Sequence, residues 1–276
     1  MMQSRHADAN TDAGPALAVR DLAAAYGSRR ILSAIDFSVS RGEIFVIMGA
    51  SGAGKTTLLR HILGLAPPIC GTVEMFGAPL YPTSRAALYQ LRRHIGVAFQ
   101  HGALINSLSV RDNVELPLRQ HTRLDRTTIR IMSRMKLEMM NLLDCEDLRP
   151  AQLSGGMLKR AGLARAVVMD PRLLFFDEPS AGLDSVNAAE LDELILKLRA
   201  AHGMTVVVVT HVIESAFKIA DRILILADGG ICALGTVAAV RRHPDPRVQA
   251  LIERRPGAHA IDVDSYLARL TAAADD

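Results

Sequence analysis

Two rhythms of apolar and polar positions alternate along the chain. Short apolar runs bounded by turn residues predict strands over Leu17 to Arg20, Ile31 to Val39, Ile44 to Met48, Gly71 to Phe76, Ile95 to Phe99 and Leu173 to Phe176. Thr205 to Val209 is wholly β-branched, as expected of a strand covered on both faces in a parallel sheet. Apolar residues recurring every three or four positions predict helices over Thr57 to Leu65, Arg85 to His94, Gly156 to Met169 and Ser185 to His202. Turn residues punctuate these elements. Ala25-Tyr26-Gly27-Ser28 reads as a loop, Pro67-Pro68 and Asp170-Pro171 stop helices, and Gly203 closes another. Asp228-Gly229-Gly230, between Ile223 to Leu226 and Ile231 to Leu234, is a hairpin signal.

The alternation of strand and helix breaks from Val110 to Leu148, where the pattern is helical throughout. Ile129, Met132, Met135, Met139 and Leu142 recur there at helical spacing. Such a stripe predicts core packing, with an adaptable docking surface as the alternative use of methionine. From His243 two Pro-punctuated helical stretches follow, one carrying Val248, Leu251 and Ile252, the other Tyr266, Leu267 and Leu270. Helices this short are marginal alone, so their apolar faces need a surface. Packing on their own subunit is the plainer expectation. The sharper one has residues 258–276 crossing to a dimer partner or accessory subunit, with Tyr266 as anchor.

Composition narrows the class. A chain of 276 residues, 49% hydrophobic and 22% charged, can bury a sizeable core. With 32 basic and 29 acidic residues, the charge balance does not point to nucleic acid. Cys70, Cys145 and Cys232 lie far apart, a pattern of reduced thiols rather than of a disulfide framework or zinc site. No run approaches the ~18 apolar residues of a membrane span. Residues 1–15 are polar, lack the apolar stretch of a signal peptide, and read as a disordered lead-in.

The candidate chemistry begins at Gly49-Ala50-Ser51-Gly52-Ala53-Gly54-Lys55-Thr56, followed by Thr57. It fits a phosphate-binding loop and lies between a predicted strand and a predicted helix, the context the pattern requires. Glycines let successive amides converge on phosphate oxygens, and the helix adds its positive end. Lys55 can reach the β- and γ-phosphates, and Thr56 can offer a hydroxyl to Mg²⁺. Downstream, the Leu173 strand ends in Asp177-Glu178. In nucleotide hydrolases this geometry sets one acid on the metal, here Asp177 through water, and the next beside the attacking water, here Glu178. Leu153-Ser154-Gly155-Gly156-Met157 opens a predicted helix, and its serine and glycine amides suit an anion.

The loop, Gln100, the serine–glycine–glycine turn, Asp177-Glu178, Ser180-Ala181-Gly182-Leu183-Asp184 and Thr210-His211 come in that order. Together they resemble the nucleotide-binding subunit of ATP-binding cassette (ABC) transporters. The resemblance implies a RecA-like α/β core with an antiparallel β subdomain and a helical subdomain at about 101–165, all within residues 16–240, then a tail over 241–276. By position it implies that Tyr26 stacks on adenine and that Gln100 touches Mg²⁺ and the water while hinging the helical subdomain. It gives Ser154, Gly155 and Gly156 the γ-phosphate of ATP held by a second copy, Asp184 communication across the dimer, and His211 the γ-phosphate beside the carboxylate. Taken alone, Tyr26, Gln100 and His211 are weak signals. Met157 departs from the glutamine common at this place, and a thioether is a poor hydrogen-bond partner.

Phe99-Gln100-His101-Gly102-Ala103-Leu104, Asp112-Asn113-Val114, Pro117-Leu118-Arg119, Met135-Lys136-Leu137-Glu138 and Leu153 to Met157 are further similar to ATPases of lipid-transporting MCE-type systems. Among these are the lipid-asymmetry (Mla) phospholipid transporters of Gram-negative bacteria. Leu224 to Asp228 and Pro244 to Val248 extend the similarity. It implies a peripheral subunit on the cytoplasmic face of the inner membrane, with a membrane permease, an MCE-type lipid-binding protein and a small STAS-type subunit as partners. An importer ATPase for amino acids or another small solute is the alternative cargo reading. A DNA- or ribosome-acting cassette is a more distant one: only about 100 residues separate phosphate loop and signature, too few for the long coiled coil of chromosome-type members, and one cassette is seen where ribosome-type members usually carry two.

Overall fold

The computed structural model describes residues 14–81, 84–100 and 102–253. In chain order they form β1 (Leu17–Tyr26), β2 (Arg29–Val39), β3 (Ile44–Gly49), α1 (Lys55–Ile62), β4 (Cys70–Met75), β5 (Ala78–Pro79), α2 (Arg85–Arg92) and β6 (Ile95–Ala98). Next come α3 (Val110–His121), α4 (Arg126–Met139), α5 (Gly155–Val167), β7 (Leu173–Asp177), α6 (Ser185–His202) and β8 (Thr205–Val209). The last are α7 (Ile213–Ile219), β9 (Arg222–Ala227), β10 (Gly230–Thr236), α8 (Val237–Arg241) and α9 (Pro246–Ile252).

Two sheets result. One is four-stranded and antiparallel, in the order β2-β1-β4-β5; the other is six-stranded, in the order β10-β9-β3-β8-β7-β6. In the larger sheet β9, β3, β8, β7 and β6 run parallel and only β10 is antiparallel. This is the α/β core with antiparallel β and helical parts that the resemblance implies.

Strand alternation builds the core. Along β3, Ile44, Val46 and Met48 join one apolar layer, shared with α3, α4, α5 and α6. Phe45 and Ile47 join the opposite layer, shared with α1 and the antiparallel sheet. β3 and β8 are buried at every position, so they offer no polar side chain from their interior.

The helical block is fastened close to the sheet edge. A Cβ at Gly162 of α5 would lie 2.8 Å from Gly102 Cα, so only glycine lets α5 cross the loop after Gln100 this closely. Arg165 on the same helix donates to the carbonyls of Ala103 (2.8 Å) and Gly102 (3.0 Å). Asn113 of α3 is fully buried and ties down the rest of that loop. Its Oδ1 accepts from Ile105 N at 2.7 Å, and its Nδ2 donates to the carbonyls of Ser109 (2.9 Å) and Ile105 (3.1 Å).

Several expectations need correction. Tyr26 is not in a loop: β1 continues through it, and the chain reverses at Gly27-Ser28 alone. α1 stops at Ile62, and Gly64 at φ 68° ends the extension expected to Leu65. The methionine stripe does not face the core as a unit. Ile129 is buried and Met132 packs on the core, but Met135 and Met139 are 61% and 41% exposed. At about 100° per residue, each three-residue step falls about 60° short of a full turn. By Met135 the stripe has rotated off the face that buries Ile129, Ser133, Lys136 and Leu137. In the tail, α9 buries Val248 and packs Leu251 and Ile252 on the core, while the Tyr266 stretch lies outside the described residues. So do residues 1–13 of the expected lead-in, and His101 of the Phe99 to Leu104 motif.

Replacing the buried Asn113 with Ala strips partners from one amide and three carbonyls. We expect a loss of about 3 kcal/mol, read as a lower urea midpoint at unchanged slope. An unchanged midpoint would contradict the anchoring role.

Candidate functional site

β3 delivers the phosphate loop and α1 receives it. Gly49, the last residue of β3, has φ 153°, and a Cβ there would lie 2.5 Å from the carbonyl oxygen of Leu226 on β9. Gly54 caps α1 at φ 99° with no side chain bonding the first turn, so the opening amides are not taken by a side-chain cap. An anion at that end would meet N–H groups and the positive helix terminus. Thr56 is exposed at the start of the helix, and Thr57 is buried beneath it.

Lys55 is nine-tenths buried. Its ammonium donates to the carbonyls of Gly49 at 2.8 Å and Ala50 at 3.1 Å. Burial pushes its pKa below the usual lysine value, while the Glu178 and Asp177 carboxylates act in the opposite sense. Those two acids therefore share the electrostatic environment of the loop although they lie more than 120 residues downstream.

β7 carries them. Asp177 ends β7 in register with Val209, the end of β8. Glu178 follows in the left-handed region at φ 50°, its N–H donating to Val209 O at 2.8 Å. That turn swings the Glu178 carboxylate over the end of β8. There its Oε2 accepts from Thr210 Oγ1 (3.2 Å) and the backbone N of His211 (3.3 Å), and lies 2.9 Å from His211 Nδ1. The Glu178 side chain is only 13% exposed while the imidazole is 60% exposed. A largely buried carboxylate is thus held from three directions, with the ring open to a second group.

Gln100 leaves the sheet at the same edge, two residues after β6, which pairs parallel with β7. It is exposed and makes no hydrogen bond among the described residues. Tyr26, 55% exposed, ends β1 at the hairpin whose second strand abuts the loop, since a Cβ on Gly54 would lie 2.6 Å from Leu32 Cδ2. The edge therefore gathers residues 49–57, Gln100, Asp177, Glu178 and His211, with the hairpin that Tyr26 leads into packed against the loop.

Ser154, Gly155 and Gly156 belong elsewhere on the surface. Ser154 caps α5, its hydroxyl accepting from Met157 N at 3.3 Å, and Ser154 and Gly155 are exposed. Met157 packs its side chain on the core, so the departure from glutamine is filled by apolar contact. Among the described residues no hydrogen bond or ion pair joins this turn to the phosphate loop. Its neighbours are Leu183 and Asn187, 3.7 and 3.9 Å from a Cβ built on Gly156. Asp184 caps α6, accepting from Asn187 N (2.9 Å), Asn187 Nδ2 (2.5 Å) and Val186 N (3.1 Å). The Asn187 bonds, backbone first, hold its carboxyl below the usual range. Sequence reasoning missed Lys159, whose ammonium reaches the turn after Glu178; no spacing rule pairs residues 20 apart on a helix and a turn.

The chain is similar to known proteins over most of its length. The ABC transporter family model matches residues 32–181. The ATP-binding protein MlaF of the intermembrane phospholipid transport system of Escherichia coli K12 is 43% identical over 235 residues, 85% of this chain and 87% of the relative. Its counterpart in Haemophilus influenzae is 40% identical, over 83% of this chain and 87% of the relative. A dimeric structure of the ATP-binding cassette MJ0796 in a post-hydrolysis state with ADP and Pi superposes with a TM-score of 0.75 at 32% identity, covering 80% of this chain and 98% of that one.

Gly49→Ala forces a side chain onto the Leu226 carbonyl at a backbone angle that L residues rarely adopt. Strain of about 1–3 kcal/mol predicts roughly ten- to hundredfold weaker ATP binding by calorimetry. Unchanged affinity would show that the loop does not need this conformation.

Proposed function

The chain belongs to the ABC transporter family, and we propose that it is the ATPase subunit of a membrane complex that moves phospholipids between membranes. The observation that carries the chemistry is the convergence on one sheet edge of the phosphate loop with Asp177, Glu178 and His211. The cargo reading is supported by the likeness to the phospholipid-transport ATPases. Among the described residues no helix is long and apolar enough to cross a membrane. Attachment to the cytoplasmic face of the inner membrane would therefore run through other chains, namely a permease, an MCE-type lipid-binding protein and a STAS-type subunit.

In this reading residues 49–57 cradle the phosphates, with Lys55 exchanging the carbonyls of Gly49 and Ala50 for phosphate oxygens. Mg²⁺ fits the donors present. Thr56 and Asp177 supply hard oxygen ligands, and Mg²⁺ ordinarily completes its shell with water and nucleotide phosphates. When bound, it neutralises charge on the transferring phosphoryl group. Glu178 orients or deprotonates the attacking water. His211, set by its contact with Glu178, turns toward the γ-phosphate. Gln100 touches metal and water, and Tyr26 stacks on the base. Ser154, Gly155 and Gly156 act on ATP held by a second copy, with Asp184 between the two sites. That division is supported by the exposure of Ser154 and Gly155 and by the dimeric cassette among the structural neighbours.

Glu178→Gln in the assembled complex should keep ATP affinity while turnover falls about a hundredfold or more, the scale of a lost general base. Lys55→Ala should instead weaken ATP binding itself. Near-normal hydrolysis by E178Q would remove Glu178 from the reaction. Mass spectrometry of the complex purified from membranes should find phospholipid in the wild type; a complex stimulated by an amino acid and free of phospholipid would favour the solute-importer reading.

A further inference from the structure

Glu178 adopts φ 50°, a conformation that a glutamate holds only when its surroundings impose it. The turn it opens contributes few bonds of its own. Ala181 N reaches Glu178 O at 3.3 Å and Leu183 N reaches Ser180 O at 3.1 Å. The buried Ser180 hydroxyl has no hydrogen-bond partner among the described residues. What closes the turn comes from another element. The Lys159 ammonium, on the second turn of α5, enters it and donates to Pro179 O at 2.8 Å, Glu178 O at 3.3 Å and Ala181 O. All three of its donors are thereby spent on one turn of backbone. Lys159 is partly buried, and its pKa is lowered by that burial and raised by the Glu178 carboxylate.

We propose that Lys159 is a positioning residue for hydrolysis: by gathering the carbonyls of Glu178, Pro179 and Ala181 it holds Glu178 in the left-handed turn that places its carboxylate on Thr210 and His211. Lys159 touches neither the carboxylate's partners nor the phosphate loop. It acts through the backbone of Glu178 and of the turn that Glu178 opens. Because Ser154 caps the same helix five residues earlier, the pose of Glu178 is tied to the pose of the signature turn. A shift of α5 would carry the ammonium, and with it the turn that aims the carboxylate. A charge-bearing donor is required, because three carbonyl dipoles converge where a neutral side chain would leave at least one without a partner. The proposal rests on Glu178 being the group that handles the attacking water.

The test is a double-mutant cycle in the full chain within its membrane complex, with kcat and KM for ATP measured for K159M, K159R, E178Q and E178Q/K159M. K159M should lower kcat about tenfold or more, the scale of a misplaced catalytic group, with KM within about twofold because the phosphate loop is intact. K159R, which keeps a cationic donor, should recover most of the rate. In the E178Q background K159M should cost nothing further, since both changes act on one group. If K159M fails to fold by circular dichroism, K159Q replaces it with the same expectation. A kcat for K159M within about twofold of wild type, a rise in KM that accounts for its loss, or a K159M penalty undiminished in E178Q would each overturn the proposal. Normal turnover by E178Q alone would instead overturn the role given to Glu178.

Discussion

Everything in the site depends on burying the central strands on both faces. β3 and β8 have no exposed position, and β7 only a partly exposed one at Asp177. Strands so enclosed must be apolar, because an unpaired polar group between two packed layers costs several kcal/mol. Groups able to do chemistry are therefore expelled to the strand ends. In a parallel sheet those ends share one edge, where ligands of open α/β sheets bind. Gly49, Asp177 and Val209 are the last residues of three adjacent strands, and the reactive residues follow them directly.

Electrostatics then poise that edge. Lys55 sits nine-tenths buried with its ammonium on two carbonyls of the loop it belongs to. Burial disfavours its charge, so an incoming polyphosphate offers a better partner than the carbonyls it displaces. Glu178 is arranged the other way. Its carboxylate is fixed by Thr210 and His211 at the end of β8, and its backbone by Lys159 from α5. One acid thus receives support from two structural blocks, the sheet and the helical insertion.

Much of this was legible in the chain. All-β-branched Thr205–Val209 announced a doubly covered strand, and the glycine spacing of residues 49–54 announced a loop that only glycine conformations permit. Asp177-Glu178 stood out because two acids directly follow four apolar residues. The rest depends on tertiary contact, on where helices rotate or cross and on which residues the strands pair. The Met135 and Met139 side chains left the core because steps of three residues drift around a helix of about 3.6 residues per turn. Tyr26 lay on a strand because pairing with Arg29 outweighed local turn signals. Lys159 was invisible because a lysine on a helix ordinarily faces water, and only the tertiary approach of α5 to the turn gives it three carbonyls. Ser154–Gly156 read as an anion-binding turn, and Ser154 and Gly155 stand exposed at the start of α5.

In this reading the sheet edge is a single ATP-hydrolysing centre into which the helix bearing Ser154 also reports. A high-resolution structure of the full-length protein with Mg²⁺ and a non-hydrolysable ATP analogue tests it most directly. Two copies should enclose the nucleotide. Lys55 Nζ should have moved from the Gly49 and Ala50 carbonyls to phosphate oxygens, with the Glu178 carboxylate facing the γ-phosphate and the partner copy's signature turn on its far side. Nucleotide bound with Lys55 still on those carbonyls, or with Glu178 turned away from the γ-phosphate, would contradict it.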